Sequence, residues 1–172
     1  VIYDTENNFD FKYAMDMGME ATPVYGEVDV ETVDPETGEI IITTEERIIE
    51  YDGPFFYFNN SILVDRYGDI DYQTGKRGSK KRTSAVIEDM VYSINEFLEY
   101  QANGDIEQGF LFIWDSVGSI GGLKSYNSKV GNNMFDAGTI SAAFQDIMDN
   151  KIPSSRKISS KYSNSMILIN KV

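Results

Sequence analysis

An α/β fold built on a mostly parallel sheet is predicted by three observations. Phe110-Leu111-Phe112-Ile113-Trp114 is a continuous apolar run ending in Asp115, the pattern of a strand buried on both faces of a parallel sheet. Ile87, Met90, Val91, Ile94 and Leu98 recur at helical spacing. Apolar runs also open and close the chain, at Val1-Ile2-Tyr3 and Met166-Ile167-Leu168-Ile169, so strands and helices alternate as in an α/β domain.

In chain order, Val1 to Asp4 reads as a short buried strand entered midway, which suggests a fragment. A helical stretch from about Phe11 to Met17 follows, with Gly18 where a helix C-terminus favours a left-handed residue. From Val28 to Tyr51 the pattern turns β. Val28 and Val30 alternate with acids, and Asp34-Pro35-Glu36-Thr37-Gly38 gives turn chemistry before Ile40-Ile41-Ile42, so a β-hairpin insertion is predicted. Phe55 to Val64 reads as a further strand, Asp65 to Lys81 as a mobile polar loop, and Thr83 as a cap for the next helix. That helix spans about five turns and ends at Asn103-Gly104. Its apolar stripe is core rather than a cofactor box. Gly118 to Asn133 reads as a loop, Gly138 to Asp149 as a helix, and Met166 to Ile169 as the last strand. The whole, 1–172, is taken as one domain interrupted by an insertion at about 25–82.

Composition narrows the chemistry. The 172 residues include no cysteine and no histidine, so thiolate and imidazole ligands are excluded and acid–base work falls to carboxylates and lysines. An apolar content of 41% is that of an ordinary globular protein. No run approaches 18 apolar residues and no secretory signal opens the chain, which predicts a soluble cytoplasmic protein with no membrane partner. A net charge of −13 argues against whole-surface attraction to nucleic acid. Two local basic clusters remain, Lys76 to Arg82 with five of the 15 basic residues and Lys151 to Lys161 with four. Either is also read as a solvated basic loop.

Two strand ends carry candidate chemistry. Glu6 lies just beyond the first strand, and Ile113-Trp114-Asp115-Ser116 has the form of a Walker B strand, an apolar run ending in an acid. In phosphate-loop ATPases that acid holds the magnesium shell, while a second carboxylate orients or deprotonates the attacking water.

The stretch Glu6-Asn7-Asn8-Phe9-Asp10-Phe11-Lys12-Tyr13-Ala14-Met15-Asp16-Met17-Gly18 resembles the segment of the RecA recombinase family that begins at the catalytic glutamate. Asp115-Ser116-Val117-Gly118 is similar to the Walker B end of the same family and of the phage UvsX recombinases. The resemblance covers residues 1 to about 24 and 84 to 172. It implies a RecA-like core in which Glu6 activates water, Asp10 and Tyr13 contact adenine, and Asp115 with Ser116 serves the Mg²⁺ of bound ATP. Read as plain chemistry, Tyr13 is equally a helix-face packing residue. Asn133, Met134 and Phe135 fall where the family carries a DNA-binding loop, and an apolar side chain there would stack between bases; the same pair would also serve as a loop anchor. Lys171 falls at the phosphate-sensing position, where the family has Gln or His.

No G-x-x-x-x-G-K-[ST] occurs, so the phosphate cradle is missing from this sequence, and Gly118 to Gly122 is no substitute. The resemblance implies an ATP-dependent recombinase, of a bacterium or phage, that acts in DNA recombination and repair by forming homo-oligomeric filaments on single-stranded DNA and exchanging strands. A hexameric helicase or other RecA-fold motor, and a degenerate non-catalytic mediator, are the alternatives. The insertion would dock a neighbouring subunit or a partner, or be decoration.

Overall fold

The computed structural model describes residues 1–127, 142–154 and 161–170. The order of elements is β1 (Ile2–Asp4), α1 (Phe11–Asp16), β2 (Thr22–Val33), β3 (Ile40–Asp52), β4 (Tyr57–Asn59), α2 (Asn60–Tyr67), β5 (Ile70–Asp71), β6 (Lys76–Arg77), α3 (Ile87–Asn103), β7 (Leu111–Val117), α4 (Leu123–Asn127), a helical stretch α5 at 142–154, and β8 (Ser165–Asn170). The chain divides into two compact units. One comprises Val1–Phe9 and the described residues from Tyr57 onward, and the other is Asp10–Phe56.

The first unit holds a four-stranded, all-parallel sheet flanked by helices, with strand order β4-β1-β7-β8. This is the α/β class with a parallel sheet that the apolar runs predict. Tyr3 and Trp114 are register partners and both are fully buried. Above them runs α3, whose Ile87, Met90, Ile94 and Phe97 point into the core as the 3.6-residue period requires. The Tyr3 hydroxyl donates to Ser93 Oγ at 3.0 Å, and Phe97 meets Phe58, Phe110 and Phe112 edge-on. Gly104 ends α3 at φ +83°, a conformation that glycine adopts without a Cβ penalty. On the same core, Trp114 meets Phe144 of α5, whose middle, Asp146–Lys151, is wound as a π-helix.

Five expectations need correction. The aromatic stretch Phe55 to Val64 is a three-residue strand followed by α2. Asn59 Oδ1 accepts from Ile62 N at 2.9 Å, an N-cap, and Leu63 and Tyr67 are an i, i+4 pair that buries one helical face. Asp65 to Lys81 is structured, because β5 and β6 pair around a turn in which the Asp71 carboxylate accepts from Gln73 N and Thr74 Oγ1. Thr83 does not cap α3. Asp89 Oδ2 reaches back to accept from Val86 N at 2.8 Å, and Thr83 instead accompanies the Tyr126 hydroxyl. The loop at Gly118 to Asn133 contains α4. Finally, β7 is not buried on both faces. Phe112, Trp114 and Ser116 are buried while Leu111 is 46% exposed, because among the described residues the core cluster gathers on one face of the sheet.

In the second unit, β2 and β3 form a two-stranded antiparallel ribbon, the predicted hairpin. Its turn is set by Asp34, whose Oδ1 accepts from the backbone N–H of Glu36 and Thr37. At the ribbon's other end Phe11 of α1 stacks on Tyr51, with ring centroids 4.2 Å apart. No described helix is long and apolar enough to cross a membrane.

Candidate functional site

The carboxyl ends of β1 and β7 lie side by side, since Asp4 and Asp115 are register partners. Active groups in open parallel sheets collect at that edge. A polar cavity of about 650 Å³ lies here, lined by Thr5, Glu6, Asn8, Ser116, Gly118 and Asn170 among others. Gly118, at φ +94°, turns the chain away from β7 at the cavity wall.

Glu6 is held from both sides. The Ser116 hydroxyl donates to its Oε1, and Asn8 Nδ2 donates to its Oε2 at 3.0 Å. Both of these donors are neutral, and the carboxylate they orient lines the cavity. The peptide bond between Asp115 and Ser116 is cis.

Thr5 stitches the two strand ends together. Its N–H donates to Asp115 O at 2.8 Å, and its hydroxyl accepts from Trp114 Nε1 at 3.1 Å. Ser119 Oγ lies 2.5 Å from the same hydroxyl and donates in turn to Ser116 O at 2.7 Å. A buried polar chain from Trp114 to Ser116 is thus satisfied internally, as buried polar groups require.

Asp4 is a different kind of carboxylate. It is buried and accepts from Asn8 N and Phe9 N, each at 3.0 Å, and from the Tyr57 hydroxyl at 2.7 Å. Three donors occupy it as a loop anchor, and they fix the turn that carries Glu6. Burial, followed by the hydrogen bond to Asp4, pushes the Tyr57 hydroxyl well above the usual phenol range.

Of the residues singled out in the sequence, Glu6 and Ser116 meet directly. Asp115 sits between Asp4 and Ile169 in register, half-buried, and is not among the residues lining the cavity. Asp10 and Tyr13 belong to the second unit, where Asp10 Oδ1 caps α1 by accepting from Tyr13 N at 2.9 Å and Tyr13 is 64% exposed. The cap explains the Asp-x-x-Tyr spacing locally, and the exposure leaves the ring open for stacking rather than core packing. Asn133, Met134, Phe135 and Lys171 lie outside the described residues.

Sequence reading missed Thr5, Asn8 and Ser119. Polar side chains next to strand ends are the available signal, but which of them meet depends on register between segments more than 100 residues apart.

No lysine or arginine is among the described residues lining the cavity, so those residues by themselves supply no positive charge to an anionic ligand. Magnesium characteristically takes one or two carboxylates and completes its shell with water and ligand phosphates. Of the strand-end carboxylates Glu6 alone lines the cavity, Asp4 being taken up by its three donors and Asp115 lying off the lining, and no group of three or more His, Cys, Asp or Glu side chains placed to hold a metal occurs among the described residues. Comparison of the chain with family models, with curated proteins and with solved structures returns no match.

Proposed function

We propose that the chain is the core of an ATP-dependent DNA recombinase similar to the RecA family, which forms filaments on single-stranded DNA and promotes strand exchange. The observation that carries this reading is the contact between Glu6 and Ser116 at the carboxyl ends of adjacent parallel strands, on the wall of a polar cavity. A carboxylate oriented by two neutral donors, open to a cavity, suits the task of aligning a water for attack on a phosphoryl group. Asp115 and Ser116 would hold the magnesium shell of ATP, and magnesium would neutralise charge that develops on the phosphates. Asp10 and Tyr13 are the adenine contacts in this reading, Asn133, Met134 and Phe135 the DNA contacts, and Lys171 the phosphate-sensing group.

The test uses the protein expressed from its complete reading frame. ATP hydrolysis that rises severalfold on adding single-stranded DNA, together with filaments in electron micrographs, is the expected result. Binding to DNA without any nucleotide binding or hydrolysis would put a non-catalytic mediator in its place. Closed hexamers that unwind duplexes would favour a RecA-fold motor.

A further inference from the structure

The ribbon of β2 and β3 holds a disproportionate share of the charge. Ten of the chain's 28 acidic residues, and one of its 15 basic residues, fall between Thr22 and Asp52. Strand register sorts them by face. Glu27, Asp29 and Glu31 share one face with Glu46 and, toward the turn, with Ile40 and Ile42.

Two features leave that face unbalanced on its own. Glu27 lies directly opposite Glu46, and like charges facing across a ladder destabilise it. Ile40 and Ile42 are 66% and 62% exposed, and an isolated two-stranded ribbon is marginal in water. A cationic surface laid along the face would relieve the repulsion and cover the isoleucines together.

Of the two basic clusters, the one at Lys76 to Arg82 lies wholly within the described residues. It holds no acid and five basic residues, of which Arg77, Lys81 and the nearly buried Arg82 are paired with Asp69, Asp65 and Asp89, so its outward charge rests on Lys76 and Lys80. Lys76 and Lys80 are exposed and form no ion pair among the described residues. Pairing of β6 with β5 and the ion pair between Arg77 and Asp69 hold the start of the segment in place, so its charges are presented from a fixed hairpin. We propose that the β2–β3 ribbon is an arm that docks, by its Glu27 and Glu46 face, on the Lys76 to Arg82 segment of a second copy of this chain.

The two patches differ, so the contact is heterologous and propagates from copy to copy unless the rotation closes a ring. It is also sensitive to ionic strength, because exposed charges are screened over about 8 Å at physiological salt. The inference rests on the ribbon's register and charge and is independent of any nucleotide site.

The absence of cysteine permits a direct test on the full chain. Ile42→Cys and Ser79→Cys variants, one of them isotopically labelled, are mixed and treated with a short bismaleimide. The expected product is a two-chain species containing one copy of each, several times more abundant than either homotypic species, and declining as salt rises from about 0.05 M to about 0.5 M. Adding Glu27→Lys and Glu46→Lys to the Ile42→Cys chain abolishes the product, and adding Lys76→Glu and Lys80→Glu to the Ser79→Cys chain restores it. Equal heterotypic and homotypic yields, cross-linking confined within a chain carrying both cysteines, or a product indifferent to charge reversal would each overturn the proposal.

Discussion

Ser116 donates its hydroxyl hydrogen to Glu6, 110 residues earlier in the chain, and so ties the end of β7 to the loop after β1. Hydrogen bonds to charged groups contribute about 1.5–3 kcal/mol when buried, and this one is half-buried, so Ser116→Ala is expected to cost about 1–2 kcal/mol in urea denaturation. The same substitution removes one of the two donors that orient the Glu6 carboxylate. Under the proposed ATPase reading, the substitution in the complete protein is expected to lower ATP turnover more than it weakens nucleotide binding, which steady-state kinetics with a parallel binding titration resolves.

Asp89 and Arg82 form an ion pair whose carboxylate is fully buried and whose guanidinium is 10% exposed. Arg82 also donates to the carbonyls of Tyr67 and Ile70, and Asp89 accepts from the Val86 N–H, which closes the start of α3. Removing one partner strands the other, so Asp89→Asn and Arg82→Met are each expected to cost about 3–5 kcal/mol. The double variant costs less than the two losses added together, a difference that a denaturation cycle measures directly.

Much of this architecture is legible in the sequence, for reasons that differ by element. The helix α3 stands out because a 17-residue amphipathic period ends at a glycine, and β7 and β8 because continuous apolar runs have few other uses. The stretch Phe55 to Val64 misleads because aromatic content outweighs the cap at Asn59 and the i, i+4 burial of Leu63 and Tyr67. Thr83 looks like a cap, but the capping interaction comes from Asp89 inside the helix, where an acid reads as surface charge. An apolar run cannot tell which face of a strand the helices will cover, and so the exposure of Leu111 is invisible beforehand. At the candidate site the two acids are visible as strand-end residues, whereas the hydroxyl chain through Thr5 and Ser119 exists only once β1 and β7 are in register.

Trp114 is fully buried at the centre of the sheet, against Phe144 and with its indole N–H satisfied by Thr5. Trp114→Ala is expected to lose about 3–5 kcal/mol, from lost burial and the remaining cavity. Trp114→Phe restores most of the volume but leaves the Thr5 hydroxyl without its donor. It falls between the wild type and the alanine variant in thermal denaturation.

The turn of the ribbon is pH-dependent. Backbone N–H groups of Glu36 and Thr37 bind the Asp34 carboxylate and hold its pKa below the ordinary value of 3.8. The charged form is favoured in the turn, so the stabilisation is fully present above pH 3.8 and is lost as pH falls below it through the depressed value. The amide protons of Glu36 and Thr37 are expected to exchange faster with solvent across that acidic window. In Asp34→Ala they exchange fast at every pH, as hydrogen-exchange NMR will record.

The central claim, that Glu6 aligns the attacking water, is tested most directly by Glu6→Gln in the protein from the complete reading frame, in single-turnover hydrolysis of ATP on single-stranded DNA. The amide keeps the size of the side chain but accepts at one atom only, so one of the two donors must turn to accept from it, and it cannot take a proton as a carboxylate does. The expected result is nucleotide affinity within about twofold of wild type and a hydrolysis rate lower by about 10²-fold or more. Hydrolysis at the wild-type rate would contradict the role assigned to Glu6.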